Sequence, residues 1–203
     1  MTANIDLTGV DSSYKKNSYG DFFYSVVKIY KPKRIVELGT YMGYSALHIA
    51  AGIRDCPDVT SYFTIIDLGN EYKFRHCSLE TTRENFRKND LLELKNCKVE
   101  FLNEDAFECA AAFENDSIDL VHVDLSNDGK SLRKTLDQWH HKLKINGLLL
   151  TEGGSQERDK IDWMIKFDKT PIRELLNSDW YRTHYEFTVL SPFPSLTFAR
   201  KIS

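Results

Sequence analysis

The sequence predicts an α/β fold: a doubly wound, mostly parallel seven-stranded sheet with helices on both faces and a C-terminal antiparallel hairpin. Three observations carry this. Five short apolar runs alternate with helix-patterned segments, the order that builds a parallel sheet. The last two apolar runs, "THYEFTVL" and "LTFARKI", are joined only by "SPFPS". That link is too short for a parallel crossover and forces an antiparallel pair. Finally, no repeat, low-complexity tract or linker breaks the 203 residues, so one domain is expected over 1–203, preceded within it by a polar leader at 1–17.

In chain order, "GDFFYSVVKIYKP" reads as an amphipathic helix stopped by Pro32, since proline has no N–H to continue the ladder. "RIVELG" is a short buried strand and "YSALHIAAGI" the helix after it. "SYFTIIDL" is the second strand, and "EYKFRHCSLETTRENFRKNDL" a long charged helix with apolar residues at helical spacing. "CKVEFLN" is the third strand, followed by the short helical piece "AFECAAAF". "SIDLVHVDL" is the fourth, with the helix "KSLRKTLDQWHHKL" ending at "INGL". "LLLTEGG" is the fifth, and "ERDKIDWMIKFDK" and "IRELLNSD" are helical around Pro171.

Composition narrows the function. The chain is 41% hydrophobic with a net charge of −3 and a pI of about 6.1, so no basic footprint for nucleic acid exists. No run approaches the 18 or so apolar residues of a membrane span, and the polar N-terminus is unlike a secretory signal. Cys56, Cys77, Cys97 and Cys109 lie far apart without a C-x-x-C pair, which points to free thiols and a cytoplasmic location.

The informative stretch is "RIVELGTYMGYSALHIA", residues 34–50. An apolar strand carrying one acid, Glu37, opens into a loop with Gly39 and Gly43. In open α/β sheets, ligands bind beyond the carboxyl ends of the strands, and glycines there let a ligand approach the backbone. Two glycines alone are a weak signal. Four acids strengthen it: Glu37, Asp67, Asp105 and Asp124 stand at the ends of four successive strands. With no arginine cluster to offset them, they call for a positive or donor-rich ligand. A dinucleotide pyrophosphate suits that rim poorly, whereas a sulfonium bearing an amine and a ribose suits it well.

"VELGTYMGYS" resembles the first motif, E-x-G-x-x-x-G-x-S, of S-adenosylmethionine-dependent methyltransferases of the Rossmann-like class, in particular the small O-methyltransferases related to catechol O-methyltransferase. The order of elements resembles that fold over essentially the whole chain, and the dehydrogenase pattern G-x-G-x-x-G is broken by Tyr41. The resemblance implies that Glu37, Gly39 and Gly43 shape the methionine side of the cofactor pocket, with Ser45 near its carboxylate at a helix N-terminus. It places Tyr41 and Tyr44 in the pocket wall. It gives Asp67 the two ribose hydroxyls, since a carboxylate is a double acceptor. Asp105 and Ala106 would lie by the adenine, and Asp124 near the amine and the substrate. The leader, with Tyr14 and Tyr19, would close over the site as a lid.

Methyl transfer is an in-line displacement at a cationic sulfonium, so the protein mainly orients donor and acceptor and excludes water. An acceptor hydroxyl also has to lose its proton, to a base or through a metal. The catechol-type family implies magnesium held by an acid after the fourth strand and an Asp-Asn pair after the fifth, with a lysine base nearby. Here Asp124 fills the first place, Glu152 the second, and Gly153 stands where the amide belongs. Asn127 occupies the position of the base. Oxygen ligands from Asp124 and Glu152 suit Mg2+. Asp128 reads as a solvated loop acid, His122 and His48 as structural residues, and His140 and His141 as favourable charges at a helix C-terminus. His184 has no assignment. In "GGSQERDK", Ser155 reads as a helix cap, and Arg158 is the alternative contact for a polar acceptor.

The expected activity is therefore methylation, at oxygen, of a small-molecule or glycan acceptor, with S-adenosylmethionine as cofactor and Mg2+ as a candidate second one. No nucleic acid or membrane partner is expected, and a homo-oligomer is compatible with the chain. A non-catalytic cofactor-binding subunit and an NAD-dependent dehydrogenase are the rival readings.

Overall fold

In a computed structural model, which describes residues 3–71, 77–125 and 128–203, seven strands form one sheet. They are β1 (Arg34–Leu38), β2 (Ser61–Ile66), β3 (Cys97–Leu102), β4 (Ile118–Val123), β5 (Leu143–Glu152), β6 (Tyr185–Leu190) and β7 (Leu196–Lys201). Their order, β3-β2-β1-β4-β5-β7-β6, is that of a doubly wound sheet. The expected fold class holds. Two compact units divide the chain, residues 1–105 and 106–203.

In the first unit, β1 pairs with β2 and β2 with β3, both parallel, Glu37 lying opposite Ile65 and Ile65 opposite Phe101. Strands buried on both faces read as unbroken apolar runs, and Ile35, Val36, Leu38, Phe63, Ile65 and Ile66 are all buried. Helix α1 (Tyr19–Tyr30) packs on α2 (Tyr44–Arg54). They meet at Gly20, where an added Cβ would stand 2.1 Å from His48 Nε2. His48 itself is buried and bonds the Tyr44 carbonyl oxygen through Nδ1 at 2.8 Å, a packing role as expected.

Helix α3 is shorter than the sequence pattern suggests. It runs Leu79–Lys88 because Ser78 is extended and its Oγ accepts the Thr81 N–H at 3.2 Å, an N-cap that fixes the start. Gly69–Glu71 forms a separate 3-10 turn, and the intervening 72–76 lie outside the described residues. The leader is anchored. Tyr14 is fully buried, edge-on to Tyr19 and Phe23. Lys88 pairs with Asp6 at 2.7 Å, and the Asp11 N–H lies 3.4 Å from Met42 Sδ.

In the second unit, β4 and β5 are parallel, with Val123 opposite Thr151. Strand β5 begins earlier than "LLLTEGG" suggests. Ile118 pairs with Leu143 but Leu120 with Leu148, so β5 bulges around Asn146, whose φ of 64° is one asparagine tolerates. The antiparallel hairpin forms as expected, but β7 lies beside β5 and β6 takes the edge. Three short helices, α5 (Asp162–Lys166), α6 (Ile172–Leu176) and α7 (Asp179–His184), follow β5. The last of these takes up Thr183 and His184, which the apolar pattern assigns to a strand.

Helix α4 (Gly129–Trp139) starts at Asp128, whose side chain accepts the Lys130 and Ser131 N–H groups. Asp128 is 3% exposed and ion-paired to Lys169, so it is a buried cap rather than a solvated loop acid. Burial opposes its ionisation, yet the Ser131 N–H and Lys169 hold its carboxyl below the usual range. Beyond the other end of α4, Lys201 of β7 donates to the carbonyls of His140 and Leu143. His140 does not act as a helix-end cation. Burial, then the charges of Lys201, His184 and His141, push its pKa down to about 4, leaving it neutral at pH 7. It bonds Tyr185 Oη at 2.9 Å and packs edge-on to His184 at 4.8 Å between ring centroids. The neighbour His184 joins the Trp180 carbonyl at 2.7 Å, which gives it a packing role.

Candidate functional site

The glycine loop after β1 is held from three directions. Gly39 N donates to the Ile66 carbonyl at 2.8 Å, and Gly43 N to the Thr40 carbonyl at 2.8 Å. From α3, Thr82 Oγ1 donates to the Tyr41 carbonyl and Asn85 Nδ2 to the Met42 carbonyl, each at 2.9 Å. Two loop residues have left-handed backbones, Tyr41 at φ 51° and Gly43 at φ 84°. At Gly43 a Cβ would also stand 2.7 Å from Thr82 Cγ2. Glycine is required there by conformation and by space.

Asp67 supplies the third hold, a role the sequence reading missed. Its Oδ2 accepts the N–H groups of Thr40 at 2.7 Å and Tyr41 at 3.2 Å. Its Oδ1 accepts the Gly69 N–H at 2.6 Å. An ionised carboxylate offers about four acceptor sites, so one remains for a ligand hydroxyl beside the three backbone donors. The signal was present in "DLG", since aspartate commonly accepts the N–H two residues on. The two loop contacts, 26 and 27 residues away, had no local signal.

Glu37 is fully buried, and its Oε1 accepts a 2.5 Å bond from Ser45 Oγ on the first turn of α2. The first and ninth positions of the E-x-G-x-x-x-G-x-S pattern are thus in direct contact across the loop. Asp105, past the end of β3, is half-buried, while Glu104 beside it is exposed. An open groove of about 440 Å³ lined by Ser61, Tyr62, Asn96 and Lys98 lies at the opposite, amino ends of β2 and β3, away from all these residues.

In the second unit, Ala106 is buried, and its carbonyl accepts Trp139 Nε1–H at 2.8 Å. Asp124 follows β4 directly and Glu152 ends β5. The parallel register that sets Val123 against Thr151 makes them neighbours at the strand ends. The sequence reading missed the group that Glu152 meets. Arg158 grips it with both arms, Nε to Oε1 at 2.7 Å and Nη2 to Oε2 at 3.0 Å. Both side chains are buried, 7% and 11% exposed. Burial disfavours the guanidinium charge, but Glu152 and then Asp124 and Asp159 outweigh it and hold the Arg158 pKa above its ordinary value. Arg158 N–H also donates to Ser155 Oγ at 3.2 Å, but the 3-10 turn Arg158–Lys160 has Glu157 at its N-cap without a side-chain cap bond, so Ser155 braces the approach to that turn rather than capping it. The premise that no arginine offsets the acidic strand ends is corrected here.

This arrangement does not fit Mg2+ on Asp124 and Glu152. Both Glu152 oxygens face a guanidinium, and among the described residues no group of three or more His, Cys, Asp or Glu side chains is set to hold a metal. The position of the base, Asn127, lies outside the described residues. No helix among the described residues is long and apolar enough to cross a membrane, and no disulfide joins the four cysteines.

Comparison with known proteins agrees with this fold. A family model described as a methyltransferase domain matches residues 36–152. No curated protein sequence matches. Among solved structures, a methyltransferase from Geobacter sulfurreducens is 18% identical with a TM-score of 0.65, over 94% of this chain and 84% of that one. An O-methyltransferase from Bacillus cereus in complex with S-adenosylhomocysteine is 16% identical with a TM-score of 0.64, over 95% and 83%. The O-methyltransferase TomG from Streptomyces achromogenes, involved in tomaymycin synthesis and bound to S-adenosylmethionine, is 14% identical with a TM-score of 0.65, over 97% and 89%. The chain therefore belongs to the methyltransferase domain family, with the Rossmann-like class I fold of S-adenosylmethionine-dependent methyltransferases.

Proposed function

We propose that this protein transfers a methyl group from S-adenosylmethionine to an oxygen of a small polar acceptor, such as a sugar or natural-product hydroxyl. The observation that carries the cofactor half is the buried Glu37–Ser45 pair under a glycine loop whose backbone Asp67 holds. A fixed carboxylate at the base of that loop is a partner for the ammonium of the methionine moiety. The acceptor site left on Asp67 takes one ribose hydroxyl, and Asp105 and Ala106 lie by the adenine. Tyr41 and Tyr44 wall the pocket, and the anchored leader covers it.

Oxygen as the methylated atom is supported by the O-methyltransferases among the structural neighbours. Asp124, at the end of β4, is the group we assign to acceptor orientation, with Asn127 close by in sequence. The displacement needs donor and acceptor aligned and water kept out. The activity suits a reducing, cytoplasmic compartment and needs no nucleic acid or membrane partner; a homo-oligomer is compatible with it.

Calorimetric titration with S-adenosylhomocysteine, with NAD as the control, tests this reading. Binding of the former alone, at about micromolar affinity and weakened by Glu37→Gln, is expected. Binding of NAD, or of neither, overturns it.

A further inference from the structure

Three features around Glu152 converge on one charge. Arg158 occupies both carboxylate oxygens with a fork of two bonds, at 2.7 and 3.0 Å. Asp124 is the neighbouring strand-end acid by the β4–β5 register. Gly153 stands where the resemblance to the catechol-type family implies an amide, and a side chain has no room there: a Cβ would lie 3.3 Å from Arg158 Cγ and 2.5 Å from Ile172 Cδ1. With its φ of 98°, Gly153 turns the chain so that Arg158, five residues on, folds back over the strand end. The absence of a side chain at 153 and the presence of a guanidinium over Glu152 are thus sterically linked.

We infer that Arg158 is the built-in cation of this strand end, offsetting Glu152 and Asp124 at the place where the resemblance to the catechol-type family implies a divalent metal, so that the chain orients its acceptor without one. A guanidinium is always charged and matches a carboxylate in a planar fork. It supplies positive charge and direction but no open coordination position. Its consequence is selection: an acceptor hydroxyl beside Asp124 meets a fixed cation whose donors are directional, not an ion that chelates two adjacent oxygens. A single hydroxyl, not a chelating diol, is the class of acceptor that fits. Arg158 is a positioning residue in this account, acting through the two acids.

The inference rests on the methyltransferase reading only for the acceptor; its cation half is testable on the protein alone. Mn2+ is titrated into metal-free protein and followed by electron paramagnetic resonance. Wild type is expected to show no saturable site, whereas Arg158→Gln exposes the acid pair and gains one, which the double variant Arg158→Gln/Glu152→Gln loses. A saturable wild-type site that Glu152→Gln abolishes overturns the inference, and so does an Arg158→Gln protein, folded by circular dichroism, that gains none. If Arg158→Gln does not fold, the wild-type titration still decides, and Arg158→Lys, which keeps the charge, is expected to behave as wild type. With a hydroxyl acceptor that the protein methylates in hand, wild-type turnover is expected to be indifferent to EDTA. Arg158→Gln turnover is expected to fall at least 10-fold and to recover with Mg2+, a rescue that a purely structural ion pair does not give. Failure of S-adenosylhomocysteine to bind sinks the functional reading and leaves the Mn2+ result standing.

Discussion

Replacing Asp67 separates two roles that one carboxylate plays. Its oxygens accept three backbone N–H groups, two on Oδ2 and one on Oδ1. Asparagine keeps one acceptor oxygen. Turned toward Thr40 and Tyr41 it preserves two bonds, but its amide then points an N–H at the Gly69 N–H. Alanine loses all three. Bonds to a charged group contribute about 1.5–3 kcal/mol each, and water reaching this half-buried site recovers part of that. The expected destabilisation is therefore about 1–2 kcal/mol for Asp67→Asn and about 2–4 kcal/mol for Asp67→Ala. Because the freed segment is the glycine loop, S-adenosylhomocysteine affinity should fall on the order of 10-fold and 100-fold respectively, a decade per 1.4 kcal/mol. Urea denaturation without ligand and calorimetry with it measure the two quantities. If both variants unfold like wild type without ligand, Asp67 does not organise the loop. If alanine and asparagine cost the same, the count of backbone donors is not what matters.

Breaking the Arg158–Glu152 pair with Arg158→Met leaves a buried carboxylate and should cost about 3–5 kcal/mol, whereas Arg158→Met/Glu152→Met should recover most of it; a single variant melting like wild type refutes the buried pairing. Gly43→Ala must place a side chain at φ 84° and 2.7 Å from Thr82 Cγ2, so a loss of about 1–3 kcal/mol is expected by denaturation. His140 is neutral in the fold down to about pH 4 but titrates near 6.5 when unfolded. The unfolded chain then binds the extra proton, so stability is intact above about pH 6.5 and is lost as pH falls toward 4, by at most about 1.4 kcal/mol per pH unit. His140→Gln should flatten that slope between pH 7 and 5 without abolishing it, because burial lowers the pKa of His48 as well; an unchanged slope rules out the assignment.

Local pattern made much of this protein legible. The apolar runs of β1 to β4 and the helical spacing of α1, α2 and α4 follow from residues next to one another, so they survive reading without coordinates. The link "SPFPS" dictated an antiparallel pair by length alone. "VELGTYMGYS" carried the glycine loop and both partners of the Glu37–Ser45 contact, since strand, turn and helix start fall within ten residues. Where two local signals competed, the weaker-looking one won: Ser78 cut the long charged helix, and Asp128 became a cap.

The rest was decided by contacts that sequence distance hides. That β7, not β6, lies beside β5, with Leu148 opposite Arg200 and Leu150 opposite Phe198, is not dictated by the hairpin, through which the chain reaches either arrangement. The neutrality of His140 depends first on its burial and then on the charge of Lys201, 61 residues away. The loop-holding role of Asp67 went unread because its partners lie 26 and 27 residues upstream. Glu152 was read as a metal ligand because nothing local says that two glycines will turn Arg158 back onto it. The sequence by itself determined the fold class and where the glycine loop would be. The tertiary structure alone decided what each acid is paired with, because a carboxylate's partner is whatever donor the packed chain brings within 3 Å or so, and that is a property of the whole fold.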